Sequence, residues 1–396
     1  MRRCTFPATL IFAVLASRAF AADTQPAPAT QPLTASQVVR EFAQNIEAEM
    51  SAGDISGFRK AFDIPTLTTR AFGDLDASPN LRRQFGVGVN SGLDQLVTAL
   101  ADNMKSGGGY AFLRLHIVKG ELRAMFRMTG KTGLNYHDMV LKVGPGDTVR
   151  VVDMYIATTG EELSDSYHRV LLPLVAEVDK GALARLTEGE SEYVKNIGGA
   201  RDMGLKVLNK DYSGVHAIYE GLPVSLQSEQ IVMLYDLQSL VHIDLKLYAQ
   251  AMDRYEKAFP DSPSLSLLRI DSTMLAKDWT GMLATIDKLD KQVGGDIFLN
   301  VFRVTALQSL GRGDEALAAG EECLKVYPHC TEAYVALLQA LAMQKNWVGT
   351  KDMMERMLAY SGKFLPTMTL DPVFSEFIKT QEFAEFESDH PKLKFR

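Results

Sequence analysis

One string of residues recurs in the second half of this chain and constrains its fold more than any other feature. Lys210-Asp211-Tyr212-Ser213-Gly214-Val215 returns as Lys277-Asp278-Trp279-Thr280-Gly281-Met282 and again as Lys345-Asn346-Trp347-Val348-Gly349-Thr350. Trp279 and Trp347 are 68 residues apart, which is two units of 34. The copy expected midway falls in Gly311-Arg312-Gly313-Asp314-Glu315-Ala316-Leu317, and Tyr248 in Tyr248-Ala249-Gln250-Ala251-Met252 reads as an earlier member. Tyr212, Tyr248, Trp279, Gly313 and Trp347 are then separated by 36, 31, 34 and 34 residues. A fixed period of this size implies one supersecondary unit that cannot bury its apolar face alone and stacks on its neighbours.

With these strings, the second half resembles the tetratricopeptide repeat (TPR) family, best from Ile231 to Gly362. Gly311-Arg312-Gly313-Asp314-Glu315-Ala316 is similar to that family's inter-helix turn running into the small residue of its second helix, and Tyr327-Pro328 to its closing proline. Ala251, Tyr255, Ala258 and Pro263 fit the same pattern one unit earlier. The chain departs from the family at Gly294 and Gly362, where proline would stand, and at Met282 and Thr350, where alanine would. The resemblance implies an all-α, TPR-like helical solenoid over 191–365. Leu370 to Phe374 together with Phe377, Phe383 and Phe386 suggest C-terminal capping helices over 366–396, since an open stack needs a covered end.

The resemblance also implies a concave groove along the inner face of each first helix. Counting back from the turns places Met233, Asp236, Leu240, Leu267, Asp271, Phe298, Val301, Thr305, Glu332, Val335 and Gln339 there. The basic and amide pattern with which some members clamp a terminal carboxylate is absent, because Asp236, Leu267, Val301 and Val335 occupy those places. An acidic, apolar groove suits an amphipathic segment carrying Lys or Arg. A one-residue error of register would turn Leu240 and Val301 inward.

The first half reads differently. Val38, Val39, Phe42, Ile46 and Met50 recur at helical spacing, as do Leu81, Phe85, Val89, Leu93, Leu96, Val97, Leu100 and Met104, although Gly86, Gly88 and Gly92 weaken the start of the second helix. After Ser106-Gly107-Gly108-Gly109 the period becomes two, and Tyr110–Val118, Glu121–Thr129, Leu134–Val143 and Thr148–Ala157 read as strands joined by short turns, an antiparallel meander. Helices followed by hairpins give an α+β domain over 35–159, whose layout is similar to the cystatin/NTF2-like cone. A helical connection over 160–190 joins it to the repeats.

Ahead of these domains, Met1-Arg2-Arg3, the apolar stretch Thr5–Ala16 and Ala19-Phe20-Ala21 form a secretory signal peptide over 1–21, followed by a proline-spaced linker over 22–34. A periplasmic or secreted protein is expected. Cleavage after Ala21 takes Arg2, Arg3 and Arg18 and no acidic residue, moving the formal charge from −7 to −10. That balance excludes general nucleic-acid affinity, and the leading apolar run is too short for a membrane span. Cys323 and Cys330 outlast the signal. On one continuous helix they would lie about 10 Å apart, beyond disulfide reach. Pro328 breaks the helix between them, which leaves a disulfide and two thiols both open.

No string dictates chemistry. Gly130-Lys131-Thr132 imitates the end of a phosphate-binding loop, but position 125 is Met where that motif needs Gly; Gly86-Val87-Gly88 lacks the strand a dinucleotide site requires. No cofactor or metal is expected. His116, Tyr136, His137, Asp138, Asp153 and Tyr155 fall on strands, where a cavity could gather acid and base, while Arg114, Arg123 and Arg127 share one sheet face that could hold an anion but reads more simply as the wet side. The reading that fits best is an exported, non-enzymatic scaffold for protein–protein interaction or envelope complex assembly. The alternative is small-ligand binding or catalysis in the N-terminal cavity.

Overall fold

The computed structural model describes residues 35–75, 77–130, 133–178, 186–361 and 371–393. The signal peptide and linker read from the sequence, Lys131 and Thr132, Gly362 and Leu370 lie outside the described residues. Two compact units divide between Leu265 and Ser266.

The first unit opens with four helices, α1 (Ala35–Ser51), α2 (Ser56–Ala61), α3 (Ile64–Phe72) and α4 (Pro79–Lys105). The two middle ones are too short to show a period. Asp63 caps α3 by accepting from the Thr66 amide at 3.1 Å, with Pro65 in its first turn. Gly92 does not break α4; a Cβ there would strike the ring of Tyr167, whose hydroxyl donates to the Val89 carbonyl at 3.2 Å. The glycine lets two helices approach closely.

A five-stranded antiparallel sheet follows in the order β1-β2-β3-β4-β5: β1 (Gly109–Val118), β2 (Glu121–Gly130), β3 (Gly133–Val143), β4 (Val149–Ile156) and β5 (Glu161–Glu162). Phe126 and Met139 point from one face into an apolar core with Ile46, Phe58, Leu67, Phe72 and Leu93 of the helices. The other face is also shielded: Arg123 and Arg127 are only 6% exposed, which corrects the expectation of a wet arginine face. Part of the cover comes from the helices beyond the sheet. Ser262 and Ser264 hydrogen-bond the Tyr155 hydroxyl, and Ser264 also donates to the Ala157 carbonyl.

Helix α5 (Leu163–Val178) belongs to this core rather than to a connection, since Leu163, Leu171 and Val175 pack into it. Then come α6 (Glu188–Leu208), α7 (Tyr212–Gly221), α8 (Val224–Gln227), α9 (Gln230–Ile243), α10 (Leu245–Ala258) and α11 (Pro263–Ala276), the last crossing the unit boundary. The second unit continues with α12 (Trp279–Val293), α13 (Asn300–Ser309), α14 (Gly313–Val326), α15 (Thr331–Met343), α16 (Trp347–Ser361) and α17 (Gln381–Asp389).

The recurring strings fold into one recurring joint. Lys210, Lys277 and Lys345 adopt φ of 59°, 58° and 56°, and Gly311 takes 74° at the midway copy. Each next amide reaches back five residues: Asp211 to Lys206, Asp278 to Thr273, Arg312 to Leu307 and Asn346 to Leu341, at 2.8–3.0 Å. This closes the preceding helix in the Schellman manner. Asp211, Asp278 and Asn346 then cap the following helix by accepting from Gly214, Gly281 and Gly349 at 3.0, 2.9 and 3.0 Å. A Cβ on any of these three glycines would meet the end of the capping side chain, which would have to shift to make room. Tyr248 does not sit at such a joint. Only Asp244 separates α9 from α10, and it caps Lys246 and Leu247, leaving Tyr248 inside α10.

Beyond α16, Phe374 and Phe377 on two short 3₁₀ turns and Phe383 and Phe386 on α17 bury against Met353, Met354 and Met357. The apolar edge of the last hairpin is thereby covered.

Candidate functional site

Two regions gather side chains that could act on another molecule: the polar face of the sheet and the surface of the helical hairpins. On the sheet, His137 is 1% exposed, and its Nδ1 lies 3.1 Å from the Tyr110 hydroxyl while Nε2 meets the Asn135 amide at 3.3 Å. Tyr110 stacks on Phe126, so these groups fill the interior. Burial disfavours the charged ring and pushes the His137 pKa down to about 4. An unfolded histidine titrates near pH 6.5. The sign follows: the unfolded chain binds this proton first, so stability present above pH ~6.5 declines as pH falls toward ~4. His137→Gln should remove about one proton from the linkage measured by urea titration across that window. An unchanged pH slope would show that the ring is charged or exposed in the folded protein.

Around Asp153 lies an ion network. Arg70 Nε donates to Asp153 at 2.7 Å, and its other nitrogens reach Glu121 at 2.7 Å and Glu162 at 2.9 Å. Arg123 reaches Glu162 at 2.5 Å and Glu121 at 2.8 Å, with Asp138 at 3.8 Å; His116 pairs with Asp138 at 2.7 Å. Burial opposes ionisation at Glu162, but Arg123 and Arg70 overcome it and hold the carboxyl below its usual range. Asp153 goes the other way: burial and the charge of Glu162 outweigh Ser164, Arg70 and the Met154 amide, and its pKa is raised. The network ties α3 to all five strands. His116, Asp138, Asp153 and Arg123 stand out in the sequence, whereas Arg70 and Glu162 do not, since nothing in a linear string marks partners 39 to 92 positions distant; Glu121, only two positions from Arg123, was also missed. Tyr136, His137 and Asp153 line neither of two open grooves formed by the described residues of this unit.

The larger groove, about 630 Å³, runs between α5, α6 and α9, with Glu161, Arg169, Tyr193 and Tyr235 among its walls. Arg169 and Ser166 both hydrogen-bond Glu161. Burial raises Glu161 even against the nearby Arg169, and raises both tyrosines. Glu161, Arg169 and Ser166 are thus engaged with one another.

The eleven residues assigned to a concave groove separate by helix. On α9, Met233, Asp236 and Leu240 are buried, because α6, α7 and α10 pack around that helix and leave it no open inner face. Asp236 is held by His216 at 2.8 Å, with Arg254 at 4.0 Å. Burial nevertheless raises its pKa. Phe298 is buried as well, against the edge of Phe302. These four side chains turn into the packing and are unavailable to a partner. Leu267, Val301, Thr305, Glu332, Val335 and Gln339 are half-buried, and Asp271 is exposed. Gln339 donates to Asp371 of the terminal segment at 2.9 Å, so the cap occupies its place. Asp271 keeps access to water yet is flanked by protein on most sides, and the desolvation pushes its carboxyl up to about 6.

Among the described residues no group of three or more His, Cys, Asp or Glu side chains is arranged to hold a metal ion, and no helix is long and apolar enough to cross a membrane. Comparison with protein-family models returns no match, and comparison with curated proteins finds no similar chain.

Proposed function

We propose that this chain is an exported, non-enzymatic, tetratricopeptide-like scaffold that docks a protein or peptide partner on the hairpins of its second unit. The observation that carries this reading is the recurrence of one backbone joint at Lys210, Lys277, Gly311 and Lys345, with the same reach-back hydrogen bonds each time. A repeated joint of this kind gives each hairpin the same internal turn, and arrays of like hairpins present extended binding surfaces. The part of the groove that keeps surface is Leu267, Asp271, Val301, Thr305, Glu332 and Val335, two acids among apolar side chains. That chemistry suits an amphipathic segment bearing Lys or Arg.

Ligand binding or catalysis inside the N-terminal layer is the less supported reading. Tyr110, Phe126 and His137 pack against one another there, and the acids and bases of the sheet are already paired. A photo-cross-linking residue at Thr305 should capture a partner in the cell envelope, whereas one at Val348, exposed on α16, should not. Equal capture at both positions, or capture only at Val348, would move the docking face off the first helices.

A further inference from the structure

Pro328 and His329 turn the chain between α14 and α15. The Cys330 amide donates to the Tyr327 carbonyl at 3.0 Å, and the Tyr327 amide to the Cys323 carbonyl at 2.8 Å. A reverse turn set directly on the last helical turn folds Cys330 back beside Cys323, so the spacing of a straight helix does not apply. Both cysteines are present as thiols and share one apolar cluster with Tyr334 and Leu337, with the Cys323 side chain within hydrogen-bond reach of Cys330. Cys323 is fully buried and Cys330 half-buried.

We propose that Cys323 and Cys330 are a dithiol–disulfide site whose oxidised form covalently locks the joint between α14 and α15. The oxidant is a small-molecule or protein disulfide. Cys330, the reachable thiol, attacks one sulfur of that disulfide as its thiolate, forming a mixed disulfide and releasing one oxidant thiol, which takes up the proton. Cys323 then attacks Sγ of Cys330 and expels the second oxidant thiol. Two protein thiols are oxidised and one disulfide is reduced, with both protons ending on the released thiols. Glu332 sits 3.6 Å from Cys330 Sγ. The bond to Cys323 first, then burial and the Glu332 charge, disfavour the Cys330 thiolate. The burial of Cys323 and the Glu332 carboxylate beside Cys330 should make the folded dithiol oxidise more slowly than the refolding chain.

This inference rests on the geometry of one turn and stands apart from the docking reading, so its test needs no partner. The reduced full chain is equilibrated with oxidised and reduced glutathione, both folded and during refolding from urea, then quenched with an alkylating reagent and mapped by mass spectrometry. The peptides carrying Cys323 and Cys330 should be cross-linked, lighter by two hydrogens, with no glutathione retained; Cys4 is read on its own peptide. Reduction should lower the melting midpoint of the second unit by roughly 5–10 °C. Glu332→Gln should oxidise several-fold faster than the parent in the folded state. Two alkylated thiols after oxidative refolding, or a stable glutathione adduct on Cys330 in the parent chain, would overturn the proposal. In Cys323→Ala that same adduct is the expected product, which shows that the oxidant reaches Cys330 even if the resolving thiol is missing.

Discussion

Arg123→Ala should destabilise the first unit by about 3–5 kcal/mol, seen as a fall of roughly 1–2 M in the urea midpoint followed by circular dichroism. The arginine is buried and serves three carboxylates: Glu162 at 2.5 Å, Glu121 at 2.8 Å and Asp138 at 3.8 Å. Two of these acids, Glu121 and Glu162, also share Arg70, so removing one cation leaves more negative charge in the layer than the other can neutralise. Buried ions deprived of a partner are costly, whereas the intact network adds little over an apolar replacement of the whole. Arg123→Lys should fall between, because a single ammonium cannot bridge two carboxylates as a fork does. A loss under about 1 kcal/mol in Arg123→Ala would mean that water reaches this cluster and screens it.

Phe377→Ala should cost about 3–5 kcal/mol in the second unit. Phe377 is fully buried, meets the edge of Phe383 at 5.5 Å between ring centroids, and lies 6.0 Å from Trp347. Its loss empties the centre of the cluster that covers Met353, Met354 and Met357, and rigid neighbours cannot close the space. Trp279 and Trp347 are the protein's two tryptophans, so fluorescence follows this unit directly. The unfolding midpoint read from tryptophan should move by several degrees, with Trp347 emission shifted to the red even before the transition. An unmoved midpoint would mean that the terminal segment rests on the hairpins without supporting them.

What could be read from the sequence was whatever repeats or alternates. The meander was legible because Tyr110–Val118 and the three strands after it alternate at period two between glycine turns, and they pair in that order. The joints were legible because a capping Asp or Asn that accepts from the amide three positions on is a local device, and here it recurs in a fixed string. Inward and outward positions on α9 were misread. Met233, Asp236 and Leu240 were read as one open face, although Ile231, Val232, Leu234 and Leu237 spread apolar side chains around α9, the composition of a helix covered on every side, as α6, α7, α8 and α10 cover it here. Arg70 escaped notice for a different reason: its partners are set by how α3 crosses the sheet, and a nine-residue helix carries no trace of that in its own composition.

Helix α9 has a practical consequence for anyone dissecting the chain. Ile231, Val232, Met233, Leu234, Leu237 and Leu240 point to different sides of one helix, and every one is shielded by α6, α7, α8 or α10. A fragment beginning at Gln230 would strip three of those four neighbours and present a cylinder of aliphatic side chains to water, so it should precipitate or self-associate rather than stay monomeric. Solubility of the helical half is therefore inherited from residues that precede it, and a cut meant to isolate the hairpins has to keep α6 and α7 with α9.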